Sequence, residues 1–298
     1  GLDTSDHTSV FGWADDVIFA NNEIINSTAY GTVGRVGGVT GYEIHGTNHR
    51  IFGNHVKNYY RGMWVSSNYT AECNNSIIAG NIFEVSFYGV DFFGNSSSLT
   101  DMKRTIIEGN VIVLDNTLIT AIPGAIFKSA INIACEYGVS DVIIRNNWCV
   151  KTSASVDSAF ITITSGSVAS ETHTRITVDG NSAIGTTFGA FIRTSATNGL
   201  GEITLRGNTW YNLSDGTSYT SPAGVIVLKT TTGNAITGLH MMNNLCIDDR
   251  GSPQCDYGIW LIDPTITMLY CKGNTSRGMV TAEYFEDTPT ITTRKGDY

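Results

Sequence analysis

Glu43 and Asp91 are the carboxylates whose setting best suits acid–base chemistry. Each follows a glycine-led segment of alternating apolar residues, Gly41-Tyr42-Glu43-Ile44 and Tyr88-Gly89-Val90-Asp91-Phe92. In a strand whose first residue after the glycine points inward, the next one points out. A third such segment, Gly62-Met63-Trp64-Val65, falls between them. If the three are neighbouring parallel strands, the backbones of Glu43 and Asp91 lie roughly 9.6 Å apart. That is near the carboxyl separation of an inverting glycosidase, which leaves room for a water between acid and base. Trp64 sits between the pair and offers a flat apolar face to a sugar ring. Phe93, two residues beyond Asp91, adds to it, and both rings would desolvate one carboxyl and hold its proton on. His45 and Lys128 occupy the next outward column, where they would orient substrate, or supply a base or a neutralising charge if the bond breaks by elimination. The same residue types also occur on ordinary solvated sheet faces.

Other chemistries find less support. His49, His55 and His240 lack metal-ligand spacing, so no metal site is expected. No Gly-x-Ser-x-Gly elbow or dinucleotide motif occurs, and no cofactor is expected. Gly31-Thr32-Val33-Gly34-Arg35-Val36-Gly37-Gly38 lacks the Gly-Lys-Ser/Thr ending of a phosphate loop and reads as a surface loop. The six cysteines form no Cys-x-x-Cys pair and read as buried reduced thiols, with Cys246 and Cys255 placed to clip a loop. Glu108, Arg145, Asp179, Arg206 and Lys272 form a surface ladder largely of alternating charge.

The elements that position these residues are announced by a repeat. Ile106-Ile107-Glu108-Gly109-Asn110-Val111-Ile112 recurs with an Asn at 22, 54, 81, 110, 147, 181, 208, 244 and 274, at spacings of 27 to 37 residues. A period of this size means a solenoid or repeat array. The residue before each Asn is Gly or Asn, the types that tolerate a left-handed backbone, so each copy turns a corner there. Stacked coil on coil, the Asn amides can bond in a ladder. The glycine-led segments keep phase with the Asn corners, giving each coil three short strands. They continue as Gly124-Ala125-Ile126-Phe127, Ser158-Ala159-Phe160-Ile161, Gly189-Ala190-Phe191-Ile192, Gly224-Val225-Ile226-Val227, Tyr257-Gly258-Ile259-Trp260-Leu261 and Gly278-Met279-Val280-Thr281.

This pattern resembles the right-handed parallel β-helix of the pectate-lyase-like superfamily, over nearly the whole chain. The fold expected is all-β, a right-handed single-stranded parallel β-helix solenoid of about nine to ten coils. Residues 1–298 make one β-helix domain, with 1–16 a partial coil or connector, and the missing caps imply a piece of a longer chain. Thr290-Ile291-Thr292-Thr293-Arg294-Lys295 is expected as a further strand. Within the superfamily, Tyr88-Gly89-Val90-Asp91 is similar to the Tyr-Gly-Val/Phe-Asp-Pro-His of alginate epimerases, but Phe92-Phe93 replaces Pro-His, which argues against epimerisation.

The outward column of the later coils reads Phe160, Phe191, Ile226, Leu228, Trp260 and Ile262, an apolar stripe that something must cover. Phage tailspikes are similar β-helices that associate as parallel homotrimers, and a homotrimer would bury such a stripe. Loops or a stacked sugar chain are the other candidates. A net charge of −9 with only 15% charged residues argues against a nucleic-acid or membrane partner. The resemblance implies a tailspike-like depolymerase that cleaves a bacterial surface polysaccharide, as hydrolase or lyase, on the virion tail. The alternatives are a non-catalytic glycan-binding or structural β-helix of a tail fibre or adhesin, and a monomeric secreted lyase or epimerase.

Overall fold

The computed structural model describes residues 7–26, 39–67, 73–94, 102–114, 127–135, 137–152, 156–166, 172–195, 198–216, 218–229 and 234–296. Every strand pairing among them is parallel, and each strand bonds to its counterpart one coil away. The chain is a right-handed parallel β-helix with three faces. The first face carries the glycine-led strands, from His7–Trp13 and Val39–Thr47 to Tyr257–Ile262 and Ala282–Asp287. The second carries the strands before each Asn, from Ile18–Ala20 to Thr290–Lys295, the last pairing with Thr265–Lys272. The third carries the strands after each Asn, such as Trp148–Lys151 and Thr209–Tyr211. In His55–Ser67 and Ile82–Gly94 the third face runs into the first without a break, and their pairing shifts register between Lys57 and Arg61.

The Asn column forms one continuous ladder. Nδ2 of Asn22 donates to Oδ1 of Asn54, and the same bond repeats through Asn81, Asn110, Asn147, Asn181, Asn208 and Asn244 to Asn274, always at 2.9–3.0 Å. Each Oδ1 also accepts the backbone N–H of the preceding Asn, as from Asn110 N to Asn147 at 3.0 Å. The second amide hydrogen goes to a carbonyl one coil back, as from Asn147 to Ile107 at 2.9 Å. Gly109 and Asn146, which precede two rungs, have φ of 61° and 53°, the left-handed turn the repeat requires. A second column of left-handed corners, Asp16, Asn48, Asn75 and Arg104, runs up the turn between the first and second faces. It carries its own side-chain ladder, with Asn48 bonding Asp16 at 3.0 Å and Arg104 bonding Asn75 at 2.6 Å.

Tyr42, Met63, Val90, Ile131, Ile161, Ala190, Val225 and Ile259 point inward from the first face and are buried. The glycine before most of them is a packing requirement, since a Cβ on Gly62 would lie 2.4 Å from the Phe83 ring and one on Gly189 2.3 Å from the Trp210 ring. In one coil the bulk is exchanged. Register places Phe160 in the glycine column, its ring 5.6 Å from Trp210, and the matching third-face residue is the small Ala183. Phe160 is therefore core and not part of an outward stripe. All six cysteines are free and buried, and the Cys246 and Cys255 sulfurs are 3.8 Å apart. Glu108–Arg145 and Asp179–Arg206 pair as the charge ladder requires.

Asn147→Ala strips a central rung of its bonds and leaves buried partners unpaired, at a cost of about 3 kcal/mol. Asn22→Ala, at the exposed end of the ladder, costs under about 1 kcal/mol. Urea unfolding of both variants checks this, and equal losses would deny the ladder its central role.

Candidate functional site

Register fixes the outward column of the first face as Phe11, Glu43, Trp64, Asp91, Asn132, Thr162, Phe191, Ile226, Trp260 and Phe285. Glu43, Trp64 and Asp91 thus stand on adjacent strands as expected. Three expected members do not. Ile126 lies outside the described residues, and Asn132 occupies the position expected for it. Thr162 replaces Phe160, and Phe285 replaces Val280. Two of these strands begin later than the glycine signal, at Phe127 and Ala282. In the third, which begins at Asp157, Phe160 instead of Ser158 takes the glycine column, and the outward position moves two residues on to Thr162.

Glu43 and His45 form a dyad. Nε2 of His45 lies 2.8 Å from Oε1 of Glu43, and Thr8 Oγ1 donates to Oε2 at 2.8 Å. His45 is 1% exposed, because Trp13 stacks on its ring at 4.7 Å and 12°. Trp13 is 51% exposed and Phe11 49%, and the two are open aromatics at this end of the face. Trp64 is not an open platform. It is 6% exposed, with the Arg61 guanidinium 4.4 Å from its ring centroid and Phe93 at 4.5 Å. Lys128 is 2% exposed, with Nζ 4.9 Å from the Phe87 ring centroid, so it is not an outward cation on this face. The strand that sequence started at Gly124 starts at Phe127, which moves Lys128 out of the outward column.

Asp91 is buried and doubly held. Arg61 Nε donates to Oδ2 at 2.6 Å, and Asn132 Nδ2 donates to Oδ1 at 2.7 Å. Burial pushes its carboxyl pKa up, against the opposing pull of Arg61 and Asn132. Burial also raises the pKa of Tyr88, whose hydroxyl stays protonated at neutral pH.

Next to Asn132 a groove of about 750 Å³ opens across the middle coils. Tyr88, Asn132, Thr162 and Arg193 give it hydrogen-bonding groups, while Phe127, Phe191 and Tyr219 give it aromatic walls. Tyr219 belongs to the 212–222 loop, which folds over the face. Asp157 anchors that loop, accepting the backbone N–H of Ser218 at 3.0 Å and of Tyr219 at 3.0 Å. Gly216 is needed there, since a Cβ would meet the Asp157 carboxylate at 1.8 Å. Tyr219 packs 5.3 Å from Phe188 and 5.9 Å from Phe191. Phe191 and Ile226 are consequently buried by the chain's own loop and by Phe127. The expected exposed stripe is thus largely covered without a partner, and the homotrimer loses the observation that motivated it.

No known family model matches the sequence, and no curated protein does. Among solved structures, the chain is similar to a family 28 exopolygalacturonase from Yersinia enterocolitica, at 12% identity and a TM-score of 0.52, over 87% of this chain and 46% of that one. It is similar to the A-module of a mannuronan C-5 epimerase from Azotobacter vinelandii at 13% identity and a TM-score of 0.53, over 98% of this chain and 77% of that one. The Dettilon tailspike protein matches at 14% identity and a TM-score of 0.38, over 93% of this chain and 61% of that one. The chain spans under half of the exopolygalacturonase. At these identities the likeness to the exopolygalacturonase and the epimerase module establishes the shared parallel β-helix fold.

A raised carboxyl pKa means that folding favours the protonated form of Asp91. Its contribution to stability is full below the unfolded value and is lost as pH rises through the folded one. The stability of the wild type minus that of Asp91→Asn should therefore fall as pH rises from about 3 toward neutrality. Urea melts of both proteins across that range check it, and a rise in that difference would mean that the Arg61 pair outweighs burial.

Proposed function

We propose that this chain binds an extracellular polysaccharide in the first-face groove and cleaves it. The observation that carries the proposal is the make-up of the groove. Aromatic walls suit the apolar faces of sugar rings, and a floor of amide, hydroxyl and guanidinium groups suits their oxygens. The similar solved structures include proteins named for action on polygalacturonan and mannuronan, which fits the same class of partner. In the finer reading the chain is part of a tailspike-like depolymerase, a homotrimer on a virion tail acting on a bacterial surface glycan. That reading rests on the resemblance of the repeat. Sedimentation of the intact protein tests its assembly, with a trimer mass supporting it and a single-chain mass opposing it.

For cleavage, Glu43 and Asp91 are the proposed acid–base pair. They are two strands apart on one column, so their backbones are about 9.6 Å apart, near the spacing of an inverting pair. Burial favours the proton on Asp91, as a general acid needs. His45 holds Glu43 in place, and Trp64 and Phe93 keep water from Asp91. One observation favours binding without cleavage. Both Asp91 oxygens are already hydrogen-bonded, and no carboxylate lines the groove among the described residues.

Reducing-end release from purified capsule or O-antigen separates these readings. Wild-type release that falls about 100-fold or more in Glu43→Gln and in Asp91→Asn, with glycan binding retained, supports the pair. Binding without release supports the second reading, and an unsaturated product absorbing in the ultraviolet replaces hydrolysis with elimination. Neither binding nor release from any surface glycan overturns both.

A further inference from the structure

We infer that the groove selects sugars that carry a carboxylate, and that Arg193 is the residue that recognises it. The inference rests on the groove being the glycan site and adds the charge of the glycan.

Arg61, Arg145, Arg175, Arg206, Arg250 and Arg294 each pair with an Asp or Glu at 2.5–2.7 Å. Arg50, Arg104, Arg193 and Arg277 form no such pair among the described residues. Of these, Arg193 lines the groove and has a buried Nε with no hydrogen-bond acceptor. A buried donor left unpaired is unfavourable, and a ligand that supplies an acceptor removes the penalty. The rest of the groove contains no second cation and no carboxylate among the described residues. One fixed positive charge therefore sits in a polar recess of a chain with a net charge of −9.

The geometry around Arg193 fits a sugar acid more closely than a free anion. Arg193 is two residues beyond Phe191 on the same strand, so its side chain and the Phe191 ring share the outward side. Its strand neighbour Thr164 also lines the groove. A pyranose lying against Phe127 and Tyr219, the half-buried rings of the groove, would carry its exocyclic carboxylate toward Arg193, within reach of Thr164 and Thr162. A guanidinium fork accepts a planar carboxylate through two parallel hydrogen bonds, which a hydroxymethyl group cannot match. A neutral sugar can offer Arg193 a hydroxyl acceptor but neither the second parallel bond nor the charge, which makes the site discriminate as well as bind.

The test is retention of the intact protein on an array of acidic and neutral bacterial glycans. The best-retained glycan is then measured again after carbodiimide-borohydride reduction of its carboxylates. We expect the retained glycans to be acidic and carboxyl reduction to weaken binding about tenfold or more. Arg193→Gln should weaken the acidic form to a similar extent and the reduced form far less, so that the two losses are clearly less than additive. Arg193→Lys, which keeps the charge without the fork, should recover only part of the loss. Thermal melting of each variant checks that the fold is kept. Equal binding before and after reduction, or Arg193→Gln binding the acidic glycan as the wild type does, overturns the inference. Retention of neutral glycans alone also overturns it and leaves the groove as a glycan site. Retention of no glycan removes both.

Discussion

The structure depends on a side-chain amide that is fully satisfied in every central coil. Each interior ladder Asn gives one Nδ2 hydrogen to the next Asn and the other to a carbonyl one coil back, while its Oδ1 takes two donors from the preceding rung. A buried amide without these partners would be costly. The ladder therefore fixes where each coil turns, whatever the length of the loop before it. Asn110 and Asn147 are 37 residues apart and Asn54 and Asn81 only 27, yet both pairs bond at 2.9 Å. Extra residues are pushed into loops, where they build walls instead of disturbing the core.

The site follows from that constraint. Constant corners align the first-face strands, and alignment brings Glu43, Trp64, Asp91 and Asn132 into one column although 89 residues separate the first from the last. The 212–222 loop then supplies what a regular sheet cannot, a wall that rises above the face. Its anchor is a single buried carboxylate, Asp157, 61 residues from Ser218 in the chain. The same coils that offer an apolar surface thus cover most of it themselves and leave a groove where the cover ends.

The ladder was legible in sequence because it needs both a residue type and a backbone conformation. The Gly or Asn before each rung, such as Gly180 at φ 63° and Asn243 at φ 52°, announces the corner. The first-face phase was legible where a close-packed glycine opens the strand, as at Gly41, Gly62 and Gly89 before Glu43, Trp64 and Asp91. Where Ala130 or Phe160 takes that column instead, period-two alternation does not say which residue starts the strand. Phe160 was misplaced because its coil exchanges bulk with Ala183, and Asn132 was missed because Gly124 resembles a strand start. Ala130-Ile131-Asn132-Ile133 repeats the alternation of Gly89-Val90-Asp91-Phe92 and is the signal that would have found it. The burial of Trp64 was hidden for another reason. Its cover comes from Arg61, whose outward reach is a property of the bent strand and not of the repeat.

The central claim is that the first-face groove, between Asn132 and Tyr219, is where a glycan binds. Hydrogen exchange of the intact protein with and without the surface polysaccharide it retains tests this most directly. The account predicts slower exchange at the Ser218 and Tyr219 amides and along Phe127–Ile133, with the second-face strand Leu200–Arg206 unchanged. Protection confined to the second face, with the 212–222 loop unaffected, would contradict it.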